Sequence, residues 1–220
     1  FAGAQLAFND PRSKLFFEFV RIKNELKEIN PDLEFLLENV KMKKQFEGVI
    51  TFYMGVPPIL INSALVSAQN RNRLYWTNIA GVTMPEDKGI RLVDILEESP
   101  EDKYYHSEAA INYMDRAVKG GRNHWDFAHH SDTEKDKSAC ITANFFKGVP
   151  YNVLIDRRNG LAIRRFTPLE CERLQTLPDN YTAGVSDGQR YKMIGNGWTI
   201  DVIAHILRGV SIPKDLQKVA

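Results

Sequence analysis

Leu33-Glu34-Phe35-Leu36-Leu37-Glu38-Asn39-Val40 is the stretch on which the fold turns. Its short apolar run, Leu33 to Leu37, follows Pro31 closely and predicts a buried strand that ends at the polar pair Glu38-Asn39. Upstream, Asp10-Pro11 can cap and start a helix, and Leu15, Phe19, Ile22, Leu26 and Ile29 recur at helical spacing until Asn30-Pro31 stops it. Downstream, Phe46, Val49, Ile50 and Tyr53 mark one face of a second helix, with Gly55 as its stop and Pro57-Pro58 as a breaker. Ile59 to Val66 and Leu74 to Ile79 predict two further strands, on either side of Gln69-Asn70-Arg71-Asn72-Arg73. Helix, strand, helix, strand predicts an α/β layer with a mostly parallel sheet.

Beyond Ala80 the periodicity weakens and Gly, Pro, Asp, Asn and His dominate to Asp136, apart from a short amphipathic piece at Leu92 to Leu96. This predicts a second, irregular lobe, with strands at Ala139 to Phe146, Tyr151 to Ile155 and Ile163 to Phe166. Regular structure returns at Thr167-Pro168-Leu169-Glu170, a capping box with proline at the first helical position. Ser186 and Gln189 offer a second box, and Thr199 can cap a last helix with a buried stripe of Val202, Ile203, Ile206 and Leu207.

A chain of 220 residues that is 43% hydrophobic can build one sizeable core, or one core with a small appended lobe. No apolar run approaches the length of a bilayer span, and residues 1 to 10 lack the features of a secretion signal, so neither a membrane nor an export role is expected. With 29 Lys and Arg against 28 Asp and Glu, bulk charge predicts no polyanionic partner, and any nucleic-acid surface must come from local clusters. Two cysteines, Cys140 and Cys171, are too few for a disulfide framework and fit a reducing, intracellular compartment. His124, Asp126, His129 and His130 match no zinc spacing, so no metal is expected.

Four separated segments carry a family pattern when read in order: Glu38-Asn39-Val40, Gln69 to Arg73, Thr167 to Gln175, and Gly195-Asn196-Gly197-Trp198. Together they resemble the carboxyl-terminal part of DNA cytosine-C5 methyltransferases, with Val66-Ser67-Ala68 and Tyr75-Trp76 similar to animal de novo and phage enzymes. The resemblance implies part of a Rossmann-like sheet that serves S-adenosylmethionine-dependent methyl transfer, plus a small, mostly-β target recognition lobe. It divides the chain into 1–80 (catalytic), 81–182 (target recognition) and 183–220 (a return to the catalytic domain).

The chemistry of such enzymes asks for these residue types. A cysteine thiolate adds to C6 of cytosine, C5 becomes nucleophilic, and charge builds on the ring. A carboxyl group at N3 and a cation at O2 stabilise that charge best in a dry pocket, so the base must leave the duplex. By resemblance, Glu38 faces N3 and the exocyclic amine, Arg73 reaches O2, and Arg71 holds the pocket. Arg71 and Arg73, two apart on a strand, would point the same way; the plainer alternative is solvated ion pairs. Gly195, Asn196, Gly197 and Trp198 would contact S-adenosylmethionine, although Trp198 could equally pack into a core. Double-stranded DNA would meet Gln69, Lys147, Arg157, Arg158, Arg164 and Arg165. Glu170, Arg173 and Gln175 read as structural.

The pattern also has gaps. Neither cysteine follows a proline, as the family's nucleophile does, and the Gly-rich cofactor turn is absent. A missing N-terminal catalytic segment or a complementing subunit is therefore expected, in a bacterial restriction-modification or phage setting. A non-catalytic DNA-binding module derived from such an enzyme is the alternative. A nucleotide-dependent oxidoreductase is disfavoured, because no G-x-G-x-x-G follows a strand.

Overall fold

The computed structural model describes residues 14–126 and 130–210, so the expected Asp10-Pro11 helix start and His129 lie outside the described residues. Helices and strands run in the order α1 (Lys14–Ile29), β1 (Leu36–Val40), α2 (Lys44–Met54), β2 (Ile59–Asn62), β3 (Asn72–Thr77), α3 (Glu108–Met114), β4 (His130–Asp132), β5 (Val153–Asp156), β6 (Ala162–Arg164), α4 (Pro168–Leu174), α5 (Asp187–Asn196) and α6 (Ile200–Leu207). The chain forms two units. One takes in residues up to Asn62, Asn72–Met84 and residues from Ala204 on; the other takes in Ser63–Arg71 and Pro85–Ile203. Residues 63–71 and 183–203, which the sequence pattern groups with the catalytic part, thus pack within the second unit.

In the first unit the α/β layer is present, but its pairing differs from the parallel expectation. β3 lies between β1 and β2 and is antiparallel to both. The reason lies in the connections. α2 carries the chain across from β1 to β2, whereas the 63–71 link to β3 is shorter than the dozen or so residues of a parallel crossover and lets the strand reverse. Asn78 fixes the entry to β1, accepting from the Phe35 N–H at 2.8 Å and donating to the Leu33 carbonyl at 2.8 Å. The core gathers Phe16, Val20, Phe35, Ile50, Met54, Leu74 and Trp76. The Trp76 indole also donates to Thr51 of α2 at 2.9 Å, which satisfies its only polar group. Gly55 ends α2 in the left-handed region (φ 71°), where its N–H reaches the Thr51 carbonyl.

α1 is amphipathic, but not by the stripe expected. Phe16 and Val20 are buried, while Leu15 and Ile29 are 72% and 82% exposed and Ile22 and Leu26 nearly half so. Within this unit the sheet covers only one side of the helix.

The second unit holds a separate core of Ala68, Leu92, Ile95, Leu96, Ile141, Phe145, Leu154, Phe166, Cys171, Leu174, Tyr191 and Ile194. β4, β5 and β6 form its small sheet, with β4 parallel and β6 antiparallel to β5. The strand expected at Ala139 to Phe146 is instead a 3-10 turn, Ala143–Lys147. The Thr142 side chain accepts from the Asn144 N–H there and so favours a helical turn over an extended ladder. The Thr167 box forms as expected: the Thr167 hydroxyl accepts from Glu170 N–H at 3.1 Å, and the Glu170 carboxylate accepts from Thr167 N–H at 2.9 Å. Thr199 does not cap α6. Its hydroxyl donates to Gln175 at 2.8 Å, while the Gln175 carbonyl and the Thr176 hydroxyl accept from Ile200 and Asp201 N–H.

Candidate active site

Two groups of expected site residues can be built from the sequence upward, one in each unit. In the first unit, antiparallel pairing sets Glu38 opposite Tyr75 and Val40 opposite Arg73. Glu38 and Arg73 are therefore diagonal neighbours across the ladder, a separation long side chains can bridge. Arg73 Nε lies 2.8 Å from Glu38 Oε1, with 15% and 19% of the two side chains exposed. Arg73 Nη1 also donates to the Asn72 carbonyl at 2.9 Å. Each charge fixes the other's orientation, and both keep an open edge.

Arg71 does not share a strand with Arg73, because β3 begins only at Asn72. The alternation that would have aimed both side chains the same way does not apply. Arg71 is buried in the second unit, where its guanidinium donates to the Ile141 carbonyl at 3.0 Å, the Gly197 carbonyl at 2.8 Å and Cys140 Sγ at 3.4 Å. It thereby pins the Gly195–Trp198 segment. Gln175 holds the same segment, donating to the Ile194 and Gly197 carbonyls at 2.9 and 3.1 Å.

Gly195 and Asn196 close α5, and Gly197 caps it with extended backbone. A side chain at Gly195 would overlap the backbone of Thr142 and Ala143, so only glycine permits this close approach. Asn196 and Trp198 both face outward, Trp198 with 46% exposed, which rules out the packed-core reading for this tryptophan. A carboxamide and an indole presented at one turn fit a ligand with a polar amino-acid end and an apolar ring system.

Several expected DNA contacts need correction. Gln69 is fully buried; it donates to the Leu174 carbonyl at 2.5 Å and to Gln175 at 2.9 Å, so its amide belongs to an interior network. Arg164 is likewise fully buried, paired with Glu170 through two 2.8 Å bonds and with Asp156 at 3.0 Å. Neither can meet a phosphate, because both side chains are enclosed and already hydrogen-bonded to interior partners. Arg158 binds Asp156 at 2.7 Å and the Glu97 carbonyl at 3.0 Å, and Arg157 binds Asp132 at 3.1 Å from the surface. Lys147 is exposed. Burial alone would lift the Asp156 carboxyl, but hydrogen bonds from Arg158 and Arg164 bring it down to about 2.

The residues read as structural behave so. Arg173 ties α4 to Asp179 at 2.6 Å and to the Ile95 carbonyl at 3.0 Å. Burial pushes the Cys171 thiol well up, opposite to what a nucleophile needs. Sequence reasoning missed Glu172, which is fully buried: it accepts from Asn180 N–H at 2.7 Å and Thr182 N–H at 2.8 Å, from the Thr182 hydroxyl, and from Arg190 at 3.0 Å. No local signal separates it from an exposed helical glutamate.

A model for C-5 cytosine-specific DNA methylase matches residues 1–52 and 59–211. The chain belongs to the C-5 cytosine-specific DNA methylase family. It is 32% identical over 225 residues to the Type II methyltransferase M1.ScrFI of Lactococcus lactis subsp. cremoris, a match covering 92% of this chain and 56% of that protein. It is also 32% identical to M.SsoII of Shigella sonnei, covering 92% and 58%, and 30% identical to M.NlaX of Neisseria lactamica, covering 93% and 70%. The chain thus spans little more than half the length of the first two relatives. Among solved structures, the Entamoeba histolytica methyltransferase EhMeth shares its fold with a TM-score of 0.67 at 17% identity, over 97% of this chain and 71% of that one. The S. pombe Dnmt2 methyltransferase does so with 0.62 at 18%, over 94% and 76%. Enzymes of this family take their methyl group from S-adenosylmethionine.

Proposed function

We propose that these residues form the carboxyl-terminal part of a DNA (cytosine-5-)-methyltransferase that acts on a cytosine flipped out of double-stranded DNA. The observation that carries this reading is the 2.8 Å pairing of Glu38, in the middle of β1, with Arg73, near the start of β3, in a chain of this family. A carboxyl and a guanidinium side by side match the two edges of a cytosine that need support, N3 with its exocyclic amine and O2.

In the proposed reaction a thiolate bonds to C6 and the C5–C6 double bond yields its electron pair to the ring. Glu38 holds the proton at N3 and Arg73 balances the charge growing at O2, both in a site shielded from water. C5 then takes the methyl group, its proton leaves, and the thiolate departs as the double bond reforms. Bound S-adenosylmethionine supplies that methyl in activated form, and Asn196 and Trp198 would hold its methionine end and ribose side. Arg71 acts by pinning the Gly197 carbonyl and so the turn that carries them. The thiolate comes from a Pro-Cys segment outside these 220 residues, on the N-terminal part of the enzyme or on a complementing subunit. Cys171 is too deeply buried, and Cys140 follows Ala139 and not a proline.

The exposed side of α1 is where that segment would lie. A groove of about 250 Å³ lined by Phe19, Ile22, Leu26, Leu33, Phe35 and Leu36 is open there. The setting proposed is intracellular, in a restriction-modification system or a phage-infected cell; no helix among the described residues is long and apolar enough to cross a membrane.

The test is methyl transfer to duplex DNA by this chain combined with the Pro-Cys-bearing segment. Glu38→Gln and Arg73→Ala should each cut the rate by on the order of 100-fold or more. Full activity in both variants overturns the site, and DNA binding with no methylation of any sequence points to a binding module instead.

A further inference from the structure

Phe146 is 37% exposed on the 3-10 turn Ala143–Lys147 of the second unit, and two lysines from different elements gather on its ring. Lys192 Nζ, from α5, lies 4.6 Å from the ring centroid, and Lys147 Nζ lies 5.8 Å from it. Lys147 also sits 5.3 Å from the centroid of Tyr151. Aromatic faces hold such ammonium groups loosely, while leaving their hydrogen-bond donors turned to solvent.

What singles out this cluster is the meeting of two lysines from different elements on one exposed ring. Elsewhere among the described residues cations are commonly paired: Arg157 with Asp132, Arg158 and Arg164 with Asp156, Arg173 with Asp179, Arg190 with Glu172. Among the described residues Lys147 and Lys192 have no carboxylate partner, and both are exposed. Two like charges brought to one ring repel unless an anion joins them. The patch is also rigidly based. Gly195 of α5 lies directly against the Thr142 and Ala143 backbone, so the helix carrying Lys192 is packed closely on the turn carrying Lys147. Asn144 and Asn196 stand exposed on the same two elements and add neutral donors.

We propose that Lys147 and Lys192, mounted on Phe146 and Tyr151, form a clamp for the sugar-phosphate backbone of DNA. The proposal rests on the methyltransferase reading and adds to it a residue of α5, Lys192, and an aromatic base that sequence reading did not assign. Ammonium groups on a flexible stem neutralise phosphates without reading bases, so the clamp positions the duplex and does not choose the target sequence.

Anisotropy of a short labelled duplex, titrated with the 220-residue chain between about 50 and 200 mM salt, tests this. Removing both lysines as Lys147→Gln/Lys192→Gln should weaken binding at least tenfold at the lower salt, and reduce the slope of log affinity against log salt by about 2, since each phosphate contact contributes roughly 0.9. The loss should be equal on duplexes of unrelated sequence. Lys27→Gln/Lys44→Gln, which removes the same charge from α1 and α2, should leave the slope unchanged.

An unaltered slope in the first variant overturns the clamp, as does an equal loss in the second. A parent chain that binds no duplex at all also overturns it. None of these results touches the Glu38 and Arg73 assignment, which stands or falls on methyl transfer by the complemented enzyme.

Discussion

Gly195 shows how one missing methyl group organises a site. The backbone of Thr142 and Ala143 occupies the space a Cβ would need, so Gly195→Ala must push apart α5 and the turn before it. The expected cost is about 1–3 kcal/mol or more, read as a fall in the urea midpoint. The buried Arg164 makes the electrostatic counterpart. Arg164→Met leaves Glu170 facing the interior without its cation and Asp156 with Arg158 alone, for about 3–5 kcal/mol of lost stability. The same cluster predicts a pH response. Asp156 has its folded value depressed to about 2, below the roughly 3.9 of an unfolded chain. Its contribution is therefore complete above about pH 4 and disappears as pH falls towards 2. Urea midpoints recorded between pH 5 and 2 should fall less steeply in Asp156→Asn than in the parent; parallel curves would contradict the assignment.

At the level of elements, helix ends explain more than helix interiors. α4 begins with a complete capping box and is followed, just past its Gln175 cap, by Thr176, a β-branched residue held at φ 55°. Such a conformation costs on the order of 1–3 kcal/mol and persists only where the surroundings demand it. Here the Thr176 hydroxyl accepts from the Asp201 N–H at 2.9 Å and so caps the start of α6. Thr176→Val keeps the shape and removes the acceptor, with an expected loss of about 1 kcal/mol in urea unfolding. Gly48, in the middle of α2, is the opposite case. Nothing lies within 4 Å of a Cβ built there, and its backbone is ordinary helix. Gly48→Ala should therefore raise stability by about 0.5–1 kcal/mol, the difference in backbone entropy alone.

At the scale of the whole molecule, two separate cores stand in a chain that covers 56% and 58% of its first two relatives. The first unit carries the more exposed apolar surface. Leu15, Ile22, Leu26 and Ile29 form an open stripe along α1, of a kind that monomeric surfaces rarely leave uncovered. The chain by itself should self-associate, and Ile22→Glu/Leu26→Lys should sediment as a monomer with an unchanged urea midpoint. The same double substitution should abolish assembly with the Pro-Cys-bearing segment. Undiminished assembly would place that segment on another surface.

The order of motifs, the stop of α2, the start of α4 and the family itself were legible from the residues alone, because each depends on a few neighbours in the chain. Gly55 can take a positive φ, Thr167-Pro168-Leu169-Glu170 can satisfy its own N–H groups, and Glu38-Asn39-Val40 reads the same in any context. Burial obeys no such local rule. Gln69 and Arg164 look like surface groups until Gln175, 106 residues beyond the first, and the Asp156–Glu170 pair close around them. The reversal of β3, the loss of Arg71 from its strand, and the diversion of the Thr199 hydroxyl to Gln175 were decided likewise. Each polar group took the partner that folding brought to it, because an unpaired donor or charge in the interior costs more than a distant pairing does.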